Sequence, residues 1–151
     1  MTQSSLISSL HNSSIESPPP ALSKNSASSL SPLPLLHELG RLYIALHNII
    51  RDFEKLERYT LGVTIEKTVL DCITACHAAT TLREPKEKYE KINAASSLFD
   101  TVKLLVRIGI EIHQIEERQF VNLIPRFGKI GRMLGGWMRV TAKPTQNQNQ
   151  S

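Results

Sequence analysis

Leu35, Leu39, Leu42, Leu46, Ile49, Phe53 and Leu56 recur every three or four residues, and three later stretches of the chain repeat the habit. That period puts the apolar residues on one face of a helix, and the face must be buried against others like it. With Leu36, Tyr43 and Ile50 added, the first set spans an arc of roughly 160° at ~100° per residue. The pattern predicts a first helix over 35–58, ended by a turn at Thr60-Leu61-Gly62. A second helix over 63–80 offers Ile65, Val69, Cys72, Ile73 and Cys76, and Arg83-Glu84-Pro85 breaks it, with Pro85 suited to the first turn of the next. A third over 86–112 carries Tyr89, Ile92, Ala95, Leu98, Phe99, Val102, Leu105 and Val106; a fourth over 116–138 carries Phe120, Leu123, Ile124, Phe127, Ile130, Leu134 and Trp137. No strand-like alternation competes. Four such helices on short loops make an all-α, antiparallel up-down four-helix bundle. Pro125 is the local conflict, and it implies either a kink or a later start of the fourth helix.

The bundle domain is expected over 35–140, between two tails. Residues 1–34 contain twelve serines and five prolines but only Glu16 and Lys24 as charges, a composition that cannot bury enough apolar surface to order itself. Residues 141–151, TAKPTQNQNQS, read as a disordered polar tail. No run approaches the ~18 apolar residues of a membrane span. The start lacks the basic and apolar regions of a secretory signal, and two cysteines cannot staple a domain of this size. A soluble protein of the reducing cytoplasm is the expectation.

The formal charge of +4 is unevenly placed. Residues 1–117 hold twelve basic and fourteen acidic side chains, whereas Arg118, Arg126, Lys129, Arg132, Arg139 and Lys143 follow with no acid at all. On a helical wheel the basic residues through Arg139 occupy roughly −60° to +80° from Arg118, opposite the apolar set at roughly +100° to +240°. The face reads either as solvated surface, with Arg139 favoured by the helix macrodipole, or, because solvated faces normally mix signs and this one does not, as phosphate contacts made by charge rather than by base sequence. Lys103 and Arg107 form a second basic pair on the third helix, while Arg51, Lys55 and Arg58 sit among Asp52, Glu54 and Glu57 and pair along their own helix. Aromatic interleaving is sparse, which gives little support to a stacking platform for single strands.

Chemistry finds few footholds. Cys72 and Cys76 share a helix face beside His77, but no second Cys or His pair completes a zinc site, and small buried hydrophobes are the simpler role. The other histidines are scattered, no nucleophile–base arrangement is evident, and Gly128, Gly131, Gly135 and Gly136 follow no strand that would make a phosphate loop. No catalytic residue, metal or cofactor is expected. Gly131 and Gly135 each cost close to ~1 kcal/mol of helix propensity. They mark close packing within the bundle or between subunits, or else Gly135-Gly136 is a helix C-cap. Trp137 would seal a core end or an interface.

Two segments carry a resemblance. Glu57-Arg58-Tyr59-Thr60-Leu61-Gly62 at the first turn and Ile130-Gly131-Arg132-Met133-Leu134-Gly135-Gly136-Trp137 in the last helix are similar to the Avd-like proteins, the accessory variability determinants of diversity-generating retroelements. The resemblance covers about 35–139. It implies an up-down four-helix bundle that assembles as a homopentameric barrel with a basic surface. It further implies binding of the retroelement's reverse transcriptase and of template RNA or an RNA/DNA hybrid, supporting mutagenic copying without catalysing it. Arg58, Tyr59 and Gly62 match the first motif, and Arg132, Gly135 and Trp137 the second. The chain departs from the pattern at Glu54 and Leu56, where Pro and Ser are expected, and at Glu116, where a Ser would cap the fourth helix. The rival reading is a bundle of the related ribosomal-RNA intervening-sequence group, an oligomeric interaction protein without a polymerase partner.

Overall fold

The computed structural model describes residues 32–142; the two stretches expected to be disordered tails lie outside the described residues, apart from the first and last few helical positions. Four long helices make up the architecture: α1 (Leu33–Ile50), α2 (Val63–Thr81), α3 (Pro85–Glu111) and α4 (Glu117–Ala142). Each packs on its neighbours in chain order and α4 returns to α1, which closes an up-down four-helix bundle. The interior is built by Leu39, Leu42 and Leu46 of α1, Ile65, Val69 and Cys72 of α2, Ile92, Val102 and Val106 of α3, and Ile130 and Leu134 of α4.

The boundaries differ from the sequence expectation in physically instructive ways. The first helix stops at Ile50, not Arg58: Asp52 and Phe53 donate to the carbonyls of Ile49 and Ile50, tightening the chain into a turn. Phe53 folds back into the core and so continues the apolar rhythm through a turn that rhythm cannot reveal. Leu56, counted with the first stripe, is 71% exposed. Thr60-Leu61-Gly62 is not the turn. A short helix at Lys55–Glu57 runs into a π-helical turn, Arg58–Gly62, which leads directly into α2. The threonine hydroxyls of Thr60, Thr64 and Thr68 donate to carbonyls four residues back, at 3.0, 2.8 and 2.7 Å, and support this widened turn.

Gly62 explains the motif's glycine. A Cβ there would stand 2.7 Å from Ile50 Cγ2, so α1 and α2 approach at their shared end only because the side chain is missing. Gly109 does the same at the α3–α4 turn, where a Cβ would stand 2.6 Å from Ile115 Cδ1. That turn is a Schellman closure: Gln114 and His113 donate to the carbonyls of Gly109 and Ile110, with His113 in the left-handed region at φ 62°. The two turns are stitched together by Glu54 N–H, which donates to Gln114 Oε1 at 2.8 Å.

The fourth helix runs unbroken through Pro125, so a delayed start is excluded. Pro125 lies on the solvent side, where water can satisfy the carbonyl that loses its partner. At its beginning, Glu116 supplies no cap; Gln119 instead reaches back to accept from Glu116 N–H at 2.9 Å, half of a capping box. Gly135-Gly136 is not a C-cap, because the helix continues to Ala142.

Gly62→Ala and Gly109→Ala should each lose about 1–3 kcal/mol through overpacking, while Gly135→Ala should gain up to about 1 kcal/mol of helix propensity. Urea unfolding of the three variants checks the order, and a stabilised Gly62→Ala would contradict the close approach described.

Candidate nucleic-acid interface

The one-signed face of α4 divides into three environments once folded. Arg126 and Lys129 turn toward α1, where Glu38 is buried among Leu35, Leu39 and Leu42. Arg126 Nη1 donates to Glu38 Oε2 at 3.2 Å and Lys129 Nζ to Glu38 Oε1 at 2.9 Å, one cation on each oxygen. The Lys129 ammonium hydrogen-bonded to it holds the Glu38 carboxyl below the usual carboxylate range; Arg126 and Arg41 add to the effect and burial opposes it. Arg118 forms a second environment, at the exposed start of α4 with Glu116 3.7 Å away.

The third environment gathers residues from two helices. Lys103 and Arg107 of α3 and Arg132 and Arg139 of α4 line one open groove of ≈ 670 Å³. Phe120, Ile124 and Phe127 form its apolar part, and Gly128, Gly131 and Gly135 leave the α4 backbone bare along it. Among the described residues, no carboxylate lines the groove. Lys103 is partly engaged, with Asp100 at 2.7 Å and its ammonium 4.9 Å from the centre of the Phe99 ring. Among the described residues, Arg107, Arg132 and Arg139 pair with no acid. Helix geometry sets Lys103 and Arg107 ~6 Å apart along α3, and Arg132 and Arg139 ~10.5 Å apart along α4.

The remaining motif residues take other places. Arg58 donates from Nη2 to the Phe53 carbonyl at 3.1 Å and so fastens the α1–α2 turn, while Tyr59 is 67% exposed beside it. Gly131 has only an ordinary contact, Phe99 Cε1 at 3.8 Å from its Cβ position, and a Cβ at Gly135 or Gly136 would meet nothing within 4 Å. Close packing inside the bundle therefore does not account for Gly135 and Gly136. Trp137 is half-buried against the core, and its carbonyl accepts from Thr141 Oγ1 at 2.8 Å.

Cys72 and Cys76 are fully buried, with the Cys72 thiol donating to the Ala95 carbonyl at 3.3 Å, while His77 points to solvent. The neighbouring Cys76 sulfur, and then burial, push the Cys72 thiol up, so it stays protonated and inert. Among the described residues, no three His, Cys, Asp or Glu side chains are placed to share a metal ion, and no helix is long and apolar enough to cross a membrane.

Two parts of this site escape the sequence reading. Glu38 had a signal, a lone carboxylate at a core position of α1. The groove floor had none, because Ile124 counts as core on a wheel yet is 48% exposed at the edge facing α3.

A family model described as bAvd-like matches residues 35–141. No curated protein and no solved structure matches the chain.

Because the folded-state carboxyl is depressed, Glu38 contributes stability that is fully present above its ordinary pKa of 4.5 and is lost as pH falls through the lower folded value. Thermal melts across this acid range should fall more steeply for the wild type than for Glu38→Gln; parallel curves would remove Glu38 from the acid response.

Proposed function

The chain belongs to the bAvd-like family, and on that premise we propose that it is a non-enzymatic accessory protein of a diversity-generating retroelement. It binds the element's reverse transcriptase and its template RNA, or an RNA/DNA hybrid, and supports mutagenic copying in the cytoplasm without catalysing it. The observation that carries the nucleic-acid part is the α3–α4 groove: four cations from two helices and, among the described residues, no carboxylate in the lining and three arginines without an acidic partner. Such an arrangement releases counterions when it meets phosphates, and that release is the main source of sequence-independent affinity. Arg126 and Lys129 contribute less, since Glu38 already neutralises part of their charge. Arg118 adds an exposed charge at the end of the same face.

The protein works as a homo-oligomer, a pentameric ring in keeping with its family, which repeats the groove around a common axis. Two exposed apolar stripes support assembly. Leu56, Tyr59, Val63 and Leu70 line the outward side of the second helical run, and Leu104 and Ile108 line the outward side of α3, with Ile112 at its C-cap.

Replacing Arg107, Arg132 and Arg139 together by Glu should abolish RNA binding, and wild-type affinity should fall by about 10²-fold between about 50 and 200 mM salt, as four phosphate contacts require. Fluorescence anisotropy with a labelled RNA reads both; a triple variant that binds normally would sink the nucleic-acid reading. Light scattering at micromolar concentration should report a multiple of the 16.9 kDa chain. A monomer mass would defeat the ring.

A further inference from the structure

The α3–α4 groove holds more than a row of charges. Its floor is apolar: Ile124 is half-exposed in the same groove as the four cations and Phe120 is partly exposed beside it, its ring 6.5 Å from the buried Phe127 ring. Beyond them the α4 backbone is bare at Gly131 and Gly135. Packing among the described residues does not require glycine at 135, where an added Cβ would meet nothing within 4 Å, although glycine weakens a helix.

We propose that this groove takes single-stranded nucleic acid, with unpaired bases laid on the apolar floor and phosphates held by Arg107, Arg132 and Arg139. The inference rests on the nucleic-acid reading above and narrows it to strand type. A duplex turns its base faces inward and offers a protein its phosphates and groove edges, so it would leave Ile124 and Phe120 against water. A single strand has free base faces, and these stack on aromatic and guanidinium planes with little regard to sequence. The arginines therefore serve twice, as phosphate forks and as stacking surfaces. An acidic helix of a protein partner would also satisfy the rim, but its apolar seam would find a floor only two turns long, from Phe120 to Phe127. A nucleic-acid strand needs no longer seam, because successive phosphates and bases repeat the same two contacts along a groove open at its ends.

The test uses the full chain and three probes in fluorescence anisotropy: a labelled oligouridylate of ~12 nucleotides, an RNA duplex of ~12 base pairs, and poly-glutamate of matched charge as competitor. The oligouridylate should bind about tenfold more tightly than the duplex, and poly-glutamate should displace it poorly. Gly135→Leu fills the groove without a clash in the bundle. It should lower oligouridylate affinity about tenfold and duplex affinity much less, with the light-scattering mass unchanged and the melting temperature equal or higher, as for Gly135→Ala. Ile124→Ser should act in the same direction, about threefold. Equal binding of strand and duplex, or a Gly135→Leu variant with undiminished oligouridylate affinity, overturns the proposal. So does poly-glutamate that competes as well as RNA, which would assign the groove to an acidic polypeptide. The nucleic-acid reading itself falls only if the triple arginine reversal leaves RNA binding intact, so the two failures are distinguishable.

Discussion

One carboxylate placed among leucines decides how the charged side of this bundle is arranged. Glu38 sits at a core position of α1 and takes a cation on each oxygen, Arg126 and Lys129 from consecutive turns of α4. A buried ion pair of this kind is weak evidence for stability, because desolvation offsets much of the attraction. Its effect is on pairing. Removing the carboxylate leaves two cations without their counter-charge, and sliding α4 by one turn along α1 separates the three groups. The contact therefore fixes the register of the first helix against the last, the pair that closes the ring of helices. Arg126, Lys129 and the arginines of the groove share a polar face, and it is the α1 side of that face that is spent on structure.

The same fact explains how far the sequence could be read. A helical wheel ranks residues by angle, and by angle Arg118, Arg126, Lys129, Arg132 and Arg139 are one stripe. In the folded chain the angle matters less than which neighbouring helix lies on each flank. α1 meets two of the five with an acid, while α3 meets two others with Lys103 and Arg107. Helix class, number and core faces were legible because the apolar period is local to each helix. The groove was not, because it is a property of a pair of helices, and its floor residue Ile124 looks the same as Leu123 or Phe127 until the interhelical gap is known.

The turns failed in a different manner. Phe53 keeps the three-residue rhythm of α1 although the helix has ended at Ile50, since a turn that folds back on the core also buries its apolar residue. Thr60-Leu61-Gly62 has turn composition but is helical, its threonine hydroxyl satisfied by the Leu56 carbonyl one turn back and its glycine required by Ile50 rather than by a reversal of the chain. A glycine in a helix is thus ambiguous from sequence: it marks either a bend or a close approach. Here Gly62 and Gly109 are both close approaches, each placed where a turn packs against the helix it has just left.

Gly135 and Gly136 belong to neither kind, and that is informative. A helix interior position that costs propensity, where a Cβ meets no neighbour among the described residues, and that lies past the last turn of the apolar floor is not explained by packing inside the bundle. The proposed compensation lies outside the protomer, in a ligand that approaches the backbone of α4 more closely than a side chain would allow. For Gly135 that approach is along the groove, between cations that have no acid of their own. Where a protein weakens its own helix and leaves charge unpaired at the same place, the two costs are recovered together when an anionic ligand lies against the bare backbone. On the proposed reading the fold is least optimised at the place offered to the ligand, and the same sparing of side chains keeps the groove open.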